Sequence, residues 1–242
     1  MRDNNTHSPS YPSTLPNETL NARDQEGWDA YWKNEEQKRM ILYDKIATFY
    51  RKVIIKRSLE HFIDKYFSKD SELLHAGCGA GQVDTEVVKR MKVTALDISM
   101  PALARYRSLN GRFCRLAHGS ILDLPFNENS FDGIYNLGVM EHFSEEEIEK
   151  ILGEFRRVLR PGGKIILFWP PEYGLSVTVF KLIYFVLNTL LKKNIKLCPD
   201  EITRILSKNH AQKILSKSRF KPVAYSFGPR DFFTYSVIIA QK

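Results

Sequence analysis

The 242-residue chain has little cysteine, and the three it has, Cys78, Cys114 and Cys198, stand far apart with no C-x-x-C or Cys/His spacing. That excludes a disulfide framework, gives no reason to expect a metal, and makes a reducing compartment the expectation. The first residues lack an apolar core run; Pro9, Pro12 and Pro16 stand there among polar side chains, so no secretory signal is read and a cytoplasmic location is expected. Repeats at a solenoid period are missing too, which removes the stacked-repeat architectures. Acidic residues are scarce in one place: 175–221 holds only Asp200 and Glu201 against ten basic side chains, so this segment carries the whole formal net charge of +8. The remaining charges cancel, and any argument about partners from basicity belongs to that segment alone. What is present, 43% hydrophobic residues over this length, suffices for one well-buried domain.

Residues 1–24 hold too few large apolar groups to offset the entropy of ordering and read as a flexible tail. From Trp28 onward, Tyr31, Trp32, Ile41, Leu42, Ile46, Phe49, Tyr50, Val53 and Ile54 recur at three- and four-residue steps. That period predicts a helical cap over 25–69, ahead of the main domain at 70–242. There the period changes. Short apolar runs at 73–76, 93–96, 133–137 and 164–168 read as strands buried on both faces, with another near 113–116. Helices are predicted over 81–91, 101–109 and 144–159, the last stopped by Arg160-Pro161-Gly162-Gly163. Two strand-like runs at 221–227 and 232–240, parted by Gly228-Pro229, predict an antiparallel hairpin at the sheet edge. The fold class is therefore α/β: a mostly parallel sheet with helices on both faces, an N-terminal helical extension, and a helical insertion over 175–215 after the fifth strand.

Ligands of such sheets bind at the carboxyl ends of the strands, near the point where strand order reverses. The segment Leu73-Leu74-His75-Ala76-Gly77-Cys78-Gly79-Ala80-Gly81-Gln82 runs a strand into a glycine-rich turn at that end. Glycine tolerates positive φ and lets a ligand approach bare backbone. Asp97 closes the next strand, twenty residues after Gly77, placed to accept from two ribose hydroxyls. The turn and the acid together indicate a nucleoside. The spacing G-x-G-x-G followed by Gln82 does not meet the dinucleotide fingerprint, and no phosphate loop G-x-x-x-x-G-K-[ST] is present.

Four blocks in order, HAGCGAGQ at 75–82, LDIS at 96–99, LPFNENSFDGIYNLGVMEHF at 124–143 and LRPGGKIILF at 159–168, make the chain similar to class I S-adenosylmethionine-dependent methyltransferases of the small-molecule group. The resemblance implies a Rossmann-like seven-stranded sheet whose last strand is antiparallel, and S-adenosyl-L-methionine as cofactor. Carried over residue by residue, Gly77, Gly79 and Gly81 approach the methionine and sugar, Asp97 holds the ribose, and Ile98 packs on the adenine. Ser120 and Ile121 flank the adenine edge, Asn136 and Leu137 line the sulfonium region, and Arg51 either pairs with the amino-acid carboxylate or lies on a solvated helix face. Two positions depart from the family: His75 and Ser120 stand where an acid is usual, so each loses a formal negative charge.

The resemblance implies methyl transfer, which needs alignment above all, with a base for a hydroxyl acceptor. Glu141 and His142, just past the fourth strand, are the candidates; His142 is the first choice, its alternative being to cap the next helix or pack under Phe143. Trp169, Pro170, Pro171 and Tyr173 are expected to wall the acceptor pocket. The run 175–191 is apolar around most of a helical wheel but contains Lys181 and falls short of a comfortable bilayer span of about 20 residues. With Lys192, Lys193 and Lys196 after it, the stretch reads as a core helix, a lid over a greasy acceptor, or a peripheral membrane contact through 175–196. Three functions follow: methylation of a small, apolar or lipid-like acceptor, cofactor binding without turnover, and nucleic-acid methylation. The last is disfavoured, since no base-clamping Asn-Pro-Pro-Tyr motif is found.

Overall fold

The computed structural model describes residues 20–34, 49–175, 177–178 and 201–242. Seven strands, β1 (Glu72–Ala76), β2 (Lys92–Asp97), β3 (Arg115–His118), β4 (Phe131–Leu137), β5 (Leu159–Trp169), β6 (Lys221–Ser226) and β7 (Ser236–Gln241), form one sheet. Their order is β3-β2-β1-β4-β5-β7-β6. β1 pairs in parallel with both β2 and β4, so the reversal of strand order falls beside it. β7 runs antiparallel to β5 and β6, which makes it the single reversed strand and leaves β6 on the edge.

Alternate residues of the central strands feed two cores, because successive side chains of a strand point to opposite faces. Leu74, Ile134, Ile165, Leu167 and Ile238 pack with Ile148, Ile151, Leu152 and Phe155 of helix α4 (Glu145–Val158) and with Ile214 and Leu215 of helix α5 (Lys208–Lys217). Leu73, Val93, Tyr135, Ile166, Phe168 and Ile239 pack on the other side with Leu59, Phe62 and Ile63 of helix α2 (Lys56–Tyr66) and Leu103 and Tyr106 of helix α3 (Met100–Asn110). Burial on both faces is why these strands read as unbroken apolar runs. α4 starts in a capping box, Ser144 accepting from the Glu147 N–H while Glu147 accepts from the Ser144 N–H, and three acids occupy its first turn.

Several expectations change. The helix expected over 81–91 does not form: apart from a single 3₁₀ turn at Val87–Lys89 the stretch is a run of turns, because Asp84 is drawn inward to Tyr106 and His75 instead of lying on a helix face. Helix α1 spans Leu20–Asn34, so it starts inside the stretch read as tail. Arg160-Pro161-Gly162-Gly163 lies within β5, whose register against β4 shifts there, and the helix stops one residue earlier at Val158. The third strand sits two residues later than expected. Of the insertion expected over 175–215, residues 176 and 179–200 lie outside the described residues; 201–207 are not helical, and α5 begins at Lys208. Among the described residues no helix is long and apolar enough to cross a membrane.

Gly133 in β4 shows how tightly the α2 side is packed. A Cβ there would lie 2.2 Å from the Phe67 ring and 2.9 Å from Leu73. Gly133→Ala is expected to cost about 2 kcal/mol by overpacking and to lower the melting temperature by about 4–8 °C. An unchanged melting curve would show that Phe67 is free to move.

Candidate functional site

The strand ends β1, β2 and β4 open into a cavity of about 380 Å³, within the range of small-molecule sites. Its floor is the turn after β1. The Gly77 and Cys78 N–H groups both donate to the Leu96 carbonyl at 2.9 Å, and the Gly79 N–H donates to Oδ2 of Asp97 at 2.8 Å. Gly77, Gly79 and Gly81 have φ of 73°, 51° and 64°, a conformation that needs glycine. The other oxygen of Asp97, Oδ1, accepts from the Ser99 N–H at 2.9 Å, next to the first turn of α3. Asp97 is buried to 7% exposure, which pushes its carboxyl up, while these N–H donors pull it back towards the ionised form.

α1 forms the roof, through Trp28, Tyr31 and Trp32. The Trp32 ring lies over Gly79, where a Cβ would come within 2.8 Å of it, and the Arg105 guanidinium stands 5.8 Å from the same ring. Asp29 accepts from the Ser99 hydroxyl at 2.6 Å, so the roof is tied to the residue that also donates to Asp97. Trp28 meets His142 edge-on at 5.2 Å. The three aromatics were legible as one helix face; their use as a roof was not.

One wall set contains Arg51, His75, Gly77, Gly79, Gly81, Asp97, Ile98, Ser120, Ile121, Leu137, Glu141 and His142 together. Asn136 does not belong to it. It is fully buried in β4 with both amide atoms lacking a partner; strand alternation turns it to the face opposite Leu137, into the layer beneath α4. Ser120 accepts from the Leu122 N–H at 3.2 Å, and the Ile98 carbonyl accepts from His118 at 2.9 Å. Of the expected acceptor walls Pro170 lines the cavity; Trp169 is buried beneath, donating to the Thr203 carbonyl, and Tyr173 is exposed, bonded to Tyr225.

The far end of the cavity contains Tyr50, Glu141, Pro170, Val177, Glu201, Thr234 and Tyr235. Tyr50 donates to the Asp231 carbonyl at 2.6 Å and touches the Thr234 hydroxyl, which fastens the segment before α2 to the turn before β7. The Glu141 carbonyl accepts from the Ile202 and Thr203 N–H groups at 2.6 and 3.0 Å, and this is how Glu201, far off in sequence, reaches the wall. Burial pushes the Glu141 carboxyl up to about 8, with Glu201 adding to the shift and Arg204 opposing it; its Oε2 has no partner. Asp231 rises to about 6, also through burial. Sequence reasoning missed Glu201, Thr234 and Tyr235. It also missed Asp84, which is fully buried and 2.6 Å from Nδ1 of His75, so an acid stands directly behind the position that lacks one.

Residues 74–167 match a family model described as a methyltransferase domain. A putative methyltransferase of Encephalitozoon cuniculi is 35% identical over 108 residues, 44% of this chain and 49% of that protein. A sterol 24-C-methyltransferase of Gibberella zeae is 34% identical over 99 residues, 38% of this chain and 26% of that protein. A probable tRNA methyltransferase 9B of Mus musculus is 33% identical over 98 residues, 40% of this chain and 21% of that protein. The chain thus spans about half the length of the curated relatives it matches, or less. Among solved structures, magnesium protoporphyrin IX methyltransferase from Synechocystis PCC 6803 with bound S-adenosylhomocysteine aligns with a TM-score of 0.65 at 15% identity, over 91% of this chain and 99% of that one. At that identity the likeness is one of fold.

Glu141 makes the site visible in stability. Between the ordinary carboxylate value of about 4.3 and about 8, the folded chain holds a proton that the unfolded chain has released. Stability from the neutral acid is therefore full below the lower value and is lost as pH rises through the upper one. Relative to the native chain, Glu141→Gln is expected to gain in melting temperature as pH rises across this window; a difference independent of pH would contradict the assignment.

Proposed function

From the match of residues 74–167 to a methyltransferase-domain model we propose that the chain is a class I, S-adenosylmethionine-dependent methyltransferase and transfers a methyl group to a small, apolar or lipid-like acceptor. The observation that carries the reading is the joining, in one cavity, of the glycine turn and Asp97 with the buried carboxyl of Glu141, whose Oε2 has no partner. The cofactor supplies an activated methyl on a sulfonium, so the protein's task is mainly alignment. Asp97 accepts from the Gly79 and Ser99 N–H groups, with the Ile98 N–H also close, and has acceptor capacity left for a ribose diol. Ile98 and Ile121 offer apolar walls for the adenine, with Ser120 at its edge. Arg51 is a cation suited to the amino-acid carboxylate.

Glu141 is the base we favour over His142. Its carboxyl, pushed up to about 8, is mostly the neutral acid at pH 7; it takes a proton from an acceptor O–H or N–H only in its ionised fraction, which grows as pH rises through that value, whereas His142 packs against the Trp28 roof. Ile55, Phe143, Pro170 and Val177 give the cavity apolar walls, and exposed Leu175, Phe232 and Phe233 stand next to wall residues in the chain. These features suit an apolar acceptor, as does the likeness to a sterol methyltransferase. Entry from a membrane surface through 175–196, most of which lies outside the described residues, fits the same reading, since its sequence sets Lys181, Lys192, Lys193 and Lys196 beside apolar residues.

Incubation with methyl-labelled S-adenosylmethionine and either a cell lipid extract or total RNA tests the proposal. Label is expected in the organic phase; label only in RNA would replace the acceptor class, and saturable cofactor binding without product in either would indicate a binding protein. Once an acceptor is found, Glu141→Gln is expected to lower kcat by about 10²-fold with unchanged affinity for S-adenosylhomocysteine. An unchanged kcat would remove Glu141 as the base.

A further inference from the structure

The penultimate residue of β1, His75, is polar, and no pairing within the strand satisfies its ring. His75 is buried to 2% exposure, and what remains exposed faces the cavity. Its ring is stacked on Tyr135 at 4.4 Å, and its Nδ1 lies 2.6 Å from Oδ2 of Asp84. The Tyr106 hydroxyl donates to the same oxygen at 2.6 Å, while Oδ1 of Asp84 has no partner. Asp84 is fully buried and lies behind the histidine, away from the cavity wall.

A buried carboxylate is costly unless donors surround it, and a carboxylate can only accept. The nitrogen facing Asp84 must therefore carry the proton. In a neutral imidazole that leaves Nε2 as an acceptor. We propose that Asp84 is a positioning residue that holds His75 in the Nδ1–H tautomer, so that Nε2 accepts a hydrogen bond from a cationic primary amine at the amino-acid end of the ligand. This rests on the reading that the cavity binds S-adenosylmethionine, whose methionine part carries such an amine. As a carboxylate, Asp84 adds an attraction for a cation that a lone histidine would lack, although the Tyr106 and Tyr135 hydroxyls also face it. Tyr106 and Tyr135 fix the pair from α3 and β4.

The same geometry sets what an acid at position 75 would do. An aspartate there would stand against Asp84, and two carboxylates at such a distance cannot both ionise. His75→Asp alone is thus expected to weaken binding, and His75→Asp with Asp84→Asn to restore it.

Two measurements on the full-length chain decide the matter. Nitrogen-15 shifts of labelled histidine are expected to show His75 protonated at Nδ1 and unprotonated at Nε2 in the native protein, a readout that needs no variant. Calorimetric titration should then show Asp84→Asn weakening S-adenosylhomocysteine by about tenfold or more, while leaving the affinity for the analogue that lacks the amino group unchanged. Equal losses for both ligands, or a His75 protonated at Nε2 alone, would overturn the proposal. If the native chain binds neither ligand, the cofactor reading fails and the amine assignment with it; the tautomer result still judges the role of Asp84.

Discussion

The carboxylate of Asp97 is the fastening on which the site depends. One oxygen holds the Gly79 N–H and the other the Ser99 N–H, so the end of β2 fixes both the turn after β1 and the start of α3. Ser99 passes the connection on, since its hydroxyl donates to Asp29 and thereby seats the aromatic face of α1 above the glycines. Floor, helix entry and roof share one acid. Without it, two N–H groups in a buried region would lose their acceptor, a cost of about 1–3 kcal/mol each. The acid therefore organises the cavity, with acceptor capacity left over for a ligand.

Two further buried acids divide the cavity by chemistry. Asp84 sits behind His75 and is met by that histidine and by a tyrosine; Glu141 lines the cavity, with one carboxyl oxygen unmet and its proton held by burial. Both cost the fold stability in desolvation. Glu141 lines the cavity, where a ligand can return part of that cost by pairing with it, and a strongly shifted group in a cleft is a mark of function.

The fold was legible where burial is two-sided. Apolar runs such as 164–168 and spaced helical faces such as Ile148, Ile151, Leu152 and Phe155 report their environment directly, because periodicity is set by the geometry of the element. The glycine turn and Asp97 were legible through their spacing, and Trp28, Tyr31 and Trp32 as a face without a known partner. Asp84 escaped because a polar residue among Gln82, Val83 and Thr85 looks like the outer side of a helix; only the tertiary pull of Tyr106 and His75 shows otherwise. Asn136 was misplaced by one step of strand phase, which the sequence does not number when both faces are apolar. Glu201, Thr234 and Tyr235 reach the cavity through contacts across the fold, such as the Glu141 carbonyl to Ile202, that no local pattern encodes.

The central claim is that one ligand spans the cavity from Asp97 towards Glu141. A crystal structure of the full chain with S-adenosylhomocysteine tests it most directly. The account requires the ribose diol within hydrogen-bond distance of Asp97 and the sulfur directed towards the end that holds Glu141 and Tyr235. A ligand bound with its ribose away from Asp97, or with its sulfur turned from that end, would contradict it.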